Sequence, residues 1–95
     1  MITQNVGNRA YLVMARCTMD DVPLRLFTSY SELVGYIGKM KDKTYAQQYR
    51  IVRKIARDVL DANIGDLVEI VVLELRNGAP MGIYGALSFE CDWCV

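Results

Sequence analysis

A chain of 95 residues, 53% hydrophobic and 23% charged, is one small domain near the lower limit for a self-sufficient core. Its 11 basic and 11 acidic side chains cancel, so any strong field must be local rather than global. Histidine is absent, which removes the commonest general base and metal ligand together and excludes a Ser-His-Asp or Cys-His triad within the chain.

No enzyme and no cofactor are expected on these grounds. No apolar run reaches the length of about eighteen residues that a membrane-spanning helix requires. The start, Met1 to Arg9, lacks the charged and apolar segments of a signal peptide. Three cysteines, an odd number, argue against a secreted disulfide framework, so a cytoplasmic protein is expected.

In chain order, residues 1–8 read as a loose polar lead-in. Residues 10–17 are an apolar run of strand length, and Asp20 and Asp21 then mark a turn before Pro23. Residues 24–28 form a second, shorter strand, paired with the first as a hairpin and placed at a sheet edge by its brevity and leading proline. Ser29 and Glu32 have the spacing of a capping box, and Leu33, Val34, Ile37 and Met40 follow at helical spacing, predicting a helix over 30–40. Gly35 and Gly38 weaken it by up to about 1 kcal/mol each, and their spacing permits close approach of another backbone.

A longer helix is predicted from Thr44 to about Ala62. Tyr45, Tyr49, Val52, Ile55, Ala56, Val59 and Leu60 fall on one face, with Arg50, Arg53, Lys54 and Arg57 opposite. Asn63 and Gly65 supply its stop. Residues 67–75 form the third strand. Asn77-Gly78 signals a hairpin, which Ala79-Pro80 suggests has a loop of more than two residues. Met81, Ile83, Leu87 and Phe89 alternate along the fourth strand, and residues 90–95 are a tail.

The expected fold is α+β, a two-layer sandwich over residues 1–95. A four-stranded, mainly antiparallel sheet (hairpin, two helices, hairpin) packs both helices on one face, with strands one and three central. Those two strands are apolar at both parities: Leu67, Val71, Leu73 and Leu75 against Val68, Ile70 and Val72, and Leu12 and Met14 against Tyr11 and Val13. Two helices cover about one face of four strands, so the second face is partly exposed, covered by the termini or buried in an oligomer. A homodimer formed through the sheet is the expectation, and with it a non-enzymatic protein-interaction module.

Three sets of residues compete for a chemical role. Cys91 and Cys94, with Cys17 as a third thiol, are the metal or redox candidates. Thioredoxin-like motifs precede a helix, and this one is followed by a single residue, so packed or free tail cysteines are the simpler reading. Among the acids, Glu69 and Glu74 lie at opposite strand parity and share no substrate, while Asp58 and Asp61 suit i, i+4 pairing with Lys54 and Arg57. Ser29 and Ser31 are explained by capping, and the tyrosines by core packing before a ligand pocket.

Finally, Lys39, Lys41, Lys43, Arg50, Arg53, Lys54 and Arg57 are seven of the 11 basic residues, opposed within that window by Asp42 alone. They are the candidate nucleic-acid-binding set. The order strand-helix-helix-strand-strand from Leu24 to Phe89 resembles the core of a type I KH domain, whose inter-helix G-x-x-G loop clamps a nucleic-acid backbone. The resemblance implies a phosphate contact at the inter-helix segment. Here that segment, Gly38 to Thr44, has no second glycine where the backbone would approach phosphate.

Overall fold

The computed structural model describes residues 9–88, with side chains through residue 82. Strand β1 (Arg9–Cys17) turns into β2 (Val22–Phe27), and two helices follow, α1 (Tyr30–Lys41) and α2 (Tyr45–Ile55). A π-helical turn (Ala56–Leu60) extends α2, and the chain closes with the hairpin β3 (Leu67–Arg76) and β4 (Ala79–Ser88). The sheet order is β2-β1-β3-β4 with every neighbouring pair antiparallel. The fold is therefore α+β.

The strands apolar at both parities, β1 and β3, are the central ones. The edge strands carry residues that a central ladder rejects. Pro23 lies in β2, and β4 holds Pro80, Gly82 and two register shifts. Proline lacks the N–H of a ladder residue, and bulges twist an edge away from stray pairing. The β3–β4 loop is shorter than its Ala79-Pro80 sequence suggests. Arg76 pairs with Ala79, so Asn77 and Gly78 alone make the turn, both at positive φ (55° and 84°). That is the primed two-residue geometry whose twist matches the strands, and Pro80 is accommodated within the edge strand opposite Leu75.

Strand register divides the two faces. Val13 pairs with Val72 and Ala15 with Ile70 on the helix side, where all four are buried. Val22 and Phe27 of β2, Leu33 and Met40 of α1, Val52 of α2 and Ala56 of the π turn complete this core with Ile64 and Leu67. A register shift between Arg16 and Cys17 lets Leu67 join the core.

Helix α1 starts as its sequence predicts, with the Ser29 hydroxyl accepting from the Glu32 N–H at 3.3 Å. The reciprocal capping box is made at α2 instead. Thr44 Oγ1 accepts from Gln47 N–H at 3.1 Å, and Gln47 Oε1 accepts from Thr44 N–H at 2.9 Å. Gly35 and Gly38 lie in open space, with no backbone close against either.

The inward stripe of α2 departs from the predicted one. It runs Gln48, Val52, Ala56 at i, i+4, i+8, flanked by the half-buried Tyr49, Ile51 and Ile55. Val59 and Leu60, expected on the apolar face, are 67% and 43% exposed, because the π turn widens the helix and rotates them outward. The stop also falls earlier than Asn63: Asp61 adopts a left-handed conformation (φ 52°). Ala56 O accepts from the N–H groups of Asp61 and Ala62.

Gln48 is fully buried because it serves the turn between the helices. Its side-chain amide donates to the carbonyls of Met40, which also accepts from the Lys43 N–H, and of Lys43, while its Oε1 is buried without a described partner. The connection into β3 is clasped to the β1–β2 turn. Thr18 N–H donates to Asp66 O at 2.9 Å, Met19 N–H to Ile64 O at 3.0 Å, and Asp66 N–H to Thr18 Oγ1 at 2.9 Å. Gly65 (φ 72°) sits inside this clasp, where a Cβ would lie 2.3 Å from Thr18 Oγ1.

Candidate interaction surfaces

The sheet face opposite the helices is built by the alternate residues of the same strands. Leu12 pairs with Leu26 on one side and with Leu73 on the other, and Met14 pairs with Val71. Leu26 is 57% exposed; Leu12, Met14, Leu73 and Leu75 are half-buried. Val71 is buried at the centre of this face, outside the helix-side core. The face is therefore apolar across three strands, with no described helix over it. Its one ion pair, Arg16 to Glu69 at 2.9 Å, lies toward one end. Glu74 takes the other parity, as its position predicts, and meets Arg9 and Arg76 at 3.2 and 3.4 Å.

The basic residues occupy the outer surface of the helical layer. Lys39, Lys41, Lys43, Arg50, Arg53, Lys54 and Arg57 are all exposed. Lys54 pairs with Asp58 at 3.0 Å, the predicted i, i+4 bond. The parallel Arg57–Asp61 pair is not made: the left-handed turn at Asp61 breaks the helical spacing that pair requires. Arg53 and Arg57 instead line an open cleft of about 420 Å³ together with Asp61, Ala62 and Asn63. Helical periodicity does not reveal this cleft, which exists only because the π turn and Asp61 fold the chain back beside α2. The available signal was the tolerance of Asp and Asn for left-handed backbone.

The inter-helix turn is reduced to Asp42, Lys43 and Thr44, because α1 continues through Gly38 to Lys41. No glycine stands in that turn, so the phosphate-clamping loop implied by the KH resemblance has no counterpart here.

Cys17 is half-buried, and burial, then the carboxylates of Asp21 and Asp20, push its thiol up to about 11. Cys91 and Cys94 lie outside the described residues. Among the described residues no three Cys, Asp or Glu side chains are grouped to hold a metal ion. No described helix is long and apolar enough to cross a membrane.

Among the described residues, Tyr11, Tyr30, Tyr36, Tyr45 and Tyr49 are spread over separate aromatic contacts rather than gathered round one pocket. Tyr11 meets Tyr30 edge-on at 5.9 Å, Phe27 meets Tyr36 at 5.2 Å, and Tyr45 stacks on Tyr49 at 6.2 Å. Arg25 lies over the Phe27 ring at 5.4 Å. No protein-family model, curated protein or solved structure matches this chain.

Proposed function

We propose that this protein is a non-enzymatic, cytoplasmic interaction module that self-associates by stacking the sheet faces opposite the helices of two copies. The apolar surface formed by the exposed Leu26 and the half-buried Leu12, Met14, Leu73 and Leu75 carries the reading. Water against this surface is costly, and a second copy supplies a matching surface without net charge repulsion, since the formal net charge is 0. Four strands about 4.8 Å apart and about 20–34 Å long make a sheet face of roughly 570 Å², of which the three apolar strands supply about 400 Å², so a stacked pair covers at most on the order of 1,100 Å². That is the lower edge of what a stable dimer buries, and aligned sheets packing at about −30° interdigitate such residues. The Arg16–Glu69 pair, already satisfied within one chain, suits the polar rim of such an interface.

Light scattering at micromolar protein tests this directly. Twice the monomer mass of 10.8 kDa is expected, falling to the monomer mass in Leu73→Glu with unchanged circular dichroism. A wild-type monomer at high concentration would reject the reading.

A second reading, nucleic-acid binding through Lys39, Lys41, Lys43, Arg50, Arg53, Lys54 and Arg57, is supported by their shared exposure. Lys54 alone of the seven forms an ion pair among the described residues. Binding of single strands should then weaken steeply with salt and vanish in Arg50→Glu/Arg53→Glu. No binding at low salt rejects it. A metal or redox role remains a proposal tied to Cys91 and Cys94, tested by zinc content of the purified protein.

A further inference from the structure

Three features meet at the end of the helical layer. The π turn widens the last helical turn, Asp61 reverses the chain in a left-handed conformation, and Ala62 and Asn63 return beside the helix. Between them lies the cleft of about 420 Å³. This volume falls in the range of small-molecule sites, but its lining is polar where such sites are mostly apolar. Its occupant must therefore be polar and charged.

Arginine use divides into two groups. Arg9, Arg16 and Arg76 each engage a carboxylate, and Arg25 lies over an aromatic ring. Arg50, Arg53 and Arg57 form no ion pair among the described residues, and of these three Arg53 and Arg57 line the cleft. Asp58, the nearest acid in sequence, is engaged by Lys54.

We propose that this cleft binds a phosphate monoester carried on a hydroxylated group, such as a sugar phosphate. The guanidiniums of Arg53 and Arg57 present planar forks of N–H donors that match phosphate oxygens. The Asn63 amide adds a neutral donor. The Asp61 carboxylate repels phosphate but accepts from a hydroxyl, which selects the carrier. Ala62 projects only a methyl group and leaves room for it.

The charges set the strength. Two guanidiniums oppose one carboxylate and the roughly half negative charge of a helix C-terminus, leaving a small positive excess. Binding is therefore weak and salt-sensitive, and inorganic phosphate alone gains little. If the arginines only complement the helix C-terminus, no ligand binds at all.

The test is a heteronuclear NMR titration of the whole protein at low ionic strength with inorganic phosphate, a ribose phosphate and an unphosphorylated single-stranded oligonucleotide. Ribose phosphate should bind saturably, shifting Asn63 and the arginine side chains, with a Kd several-fold below that of inorganic phosphate. Arg53→Gln and Arg57→Gln, both at exposed positions, should each raise that Kd about tenfold or more without altering the fold. Asp61→Asn keeps a residue suited to left-handed backbone and should reverse the preference: inorganic phosphate tightens and the carrier's advantage disappears. Leu73→Glu should bind as well as wild type, since the cleft is independent of the sheet face. No shift at about 10 mM ribose phosphate, or shifts that survive both arginine substitutions, would overturn the proposal. Oligonucleotide binding in place of ribose phosphate, lost in Arg53→Gln, would move the phosphate onto a nucleic-acid strand and overturn the carrier specificity.

Discussion

The Tyr45 hydroxyl donates to the carbonyl of Leu67 and accepts from its N–H, each at 3.1 Å. One side chain in the first turn of α2 thereby pairs both backbone groups of the first residue of β3. The register shift between Arg16 and Cys17 interrupts the β1–β3 ladder at this level, and the hydroxyl supplies the missing partner. The helical layer is thus tied to the central strand by hydrogen bonds as well as by apolar packing.

Tyr45→Phe should therefore cost more than its single lost hydroxyl implies, because a donor and an acceptor are both left unpaired. The site is part-buried, so water restores some of the loss and about 1–2 kcal/mol is expected. In a domain of this size that lowers the melting temperature by roughly 5–15 °C. Hydrogen exchange at the Leu67 amide should accelerate in the variant. An unchanged melting curve would show that the pair contributes nothing net.

Glycine substitutions should separate by position. Gly65→Ala combines a positive φ with a Cβ 2.3 Å from Thr18 Oγ1 and 2.9 Å from Met19 Cγ. Thr18 Oγ1 is itself bonded to Asp66 N–H, so relief of the clash breaks the clasp. A loss of about 2–4 kcal/mol is expected. Gly35→Ala and Gly38→Ala meet nothing within 4 Å and should each stabilise α1 by up to about 1 kcal/mol. Chemical denaturation of the three variants checks the contrast; destabilisation by Gly35→Ala would mean that another chain packs there.

Strand parity and the place of the Asn77-Gly78 turn were legible in the sequence; the length of that turn and the helix phase near the end of α2 were not. Leu12 and Val13, or Val71 and Val72, are apolar neighbours that point to opposite faces, and that alone identifies β1 and β3 as strands with neighbours on both sides. Glu69 and Glu74 separate onto opposite faces for the same reason. Binary patterning places polar side chains outward and so does not find Gln48, whose amide N–H groups are paired inside by the carbonyls of Met40 and Lys43. Val59 and Leu60 were misplaced because a constant 100° per residue has no means of anticipating a π turn. The arginine cleft depends on that same turn, so the sequence disclosed its residues but not their grouping.

Val52 and Val59, seven residues apart, respond oppositely to the same substitution. Val52 has no exposed surface, so Val52→Asp buries an unpaired carboxylate at a cost comparable to the entire stability of a small domain, about 5–15 kcal/mol. Val59, at 67% exposure, should accept Val59→Asp within about 0.5 kcal/mol. Both residues lie on one face of an ideal helix, so equal damage from the two substitutions would restore the continuous α-helix and remove the π turn.

Cys17 carries a pH dependence whose sign follows from its surroundings. Burial, then Asp21 and Asp20, raise its thiol from the ordinary 9.0 to about 11. The folded protein therefore holds this proton more tightly than the unfolded chain does. Its contribution to stability is complete below about pH 9 and is lost as pH rises through about 11. A background carrying Cys91→Ser and Cys94→Ser isolates the thiol; folding and oligomeric state should be unchanged under reducing conditions. In that background, alkylation at pH 8 should be slower than for free cysteine, since the thiolate is the reactive form. Denaturation midpoints should decline between pH 9 and 11, and Cys17→Ala should flatten the part of that decline owed to the thiol. A thiol titrating at its ordinary value would contradict the described geometry. Stoichiometric zinc in the wild type, lost together with stability in the Cys91→Ser/Cys94→Ser background, would instead make these cysteines a structural metal site.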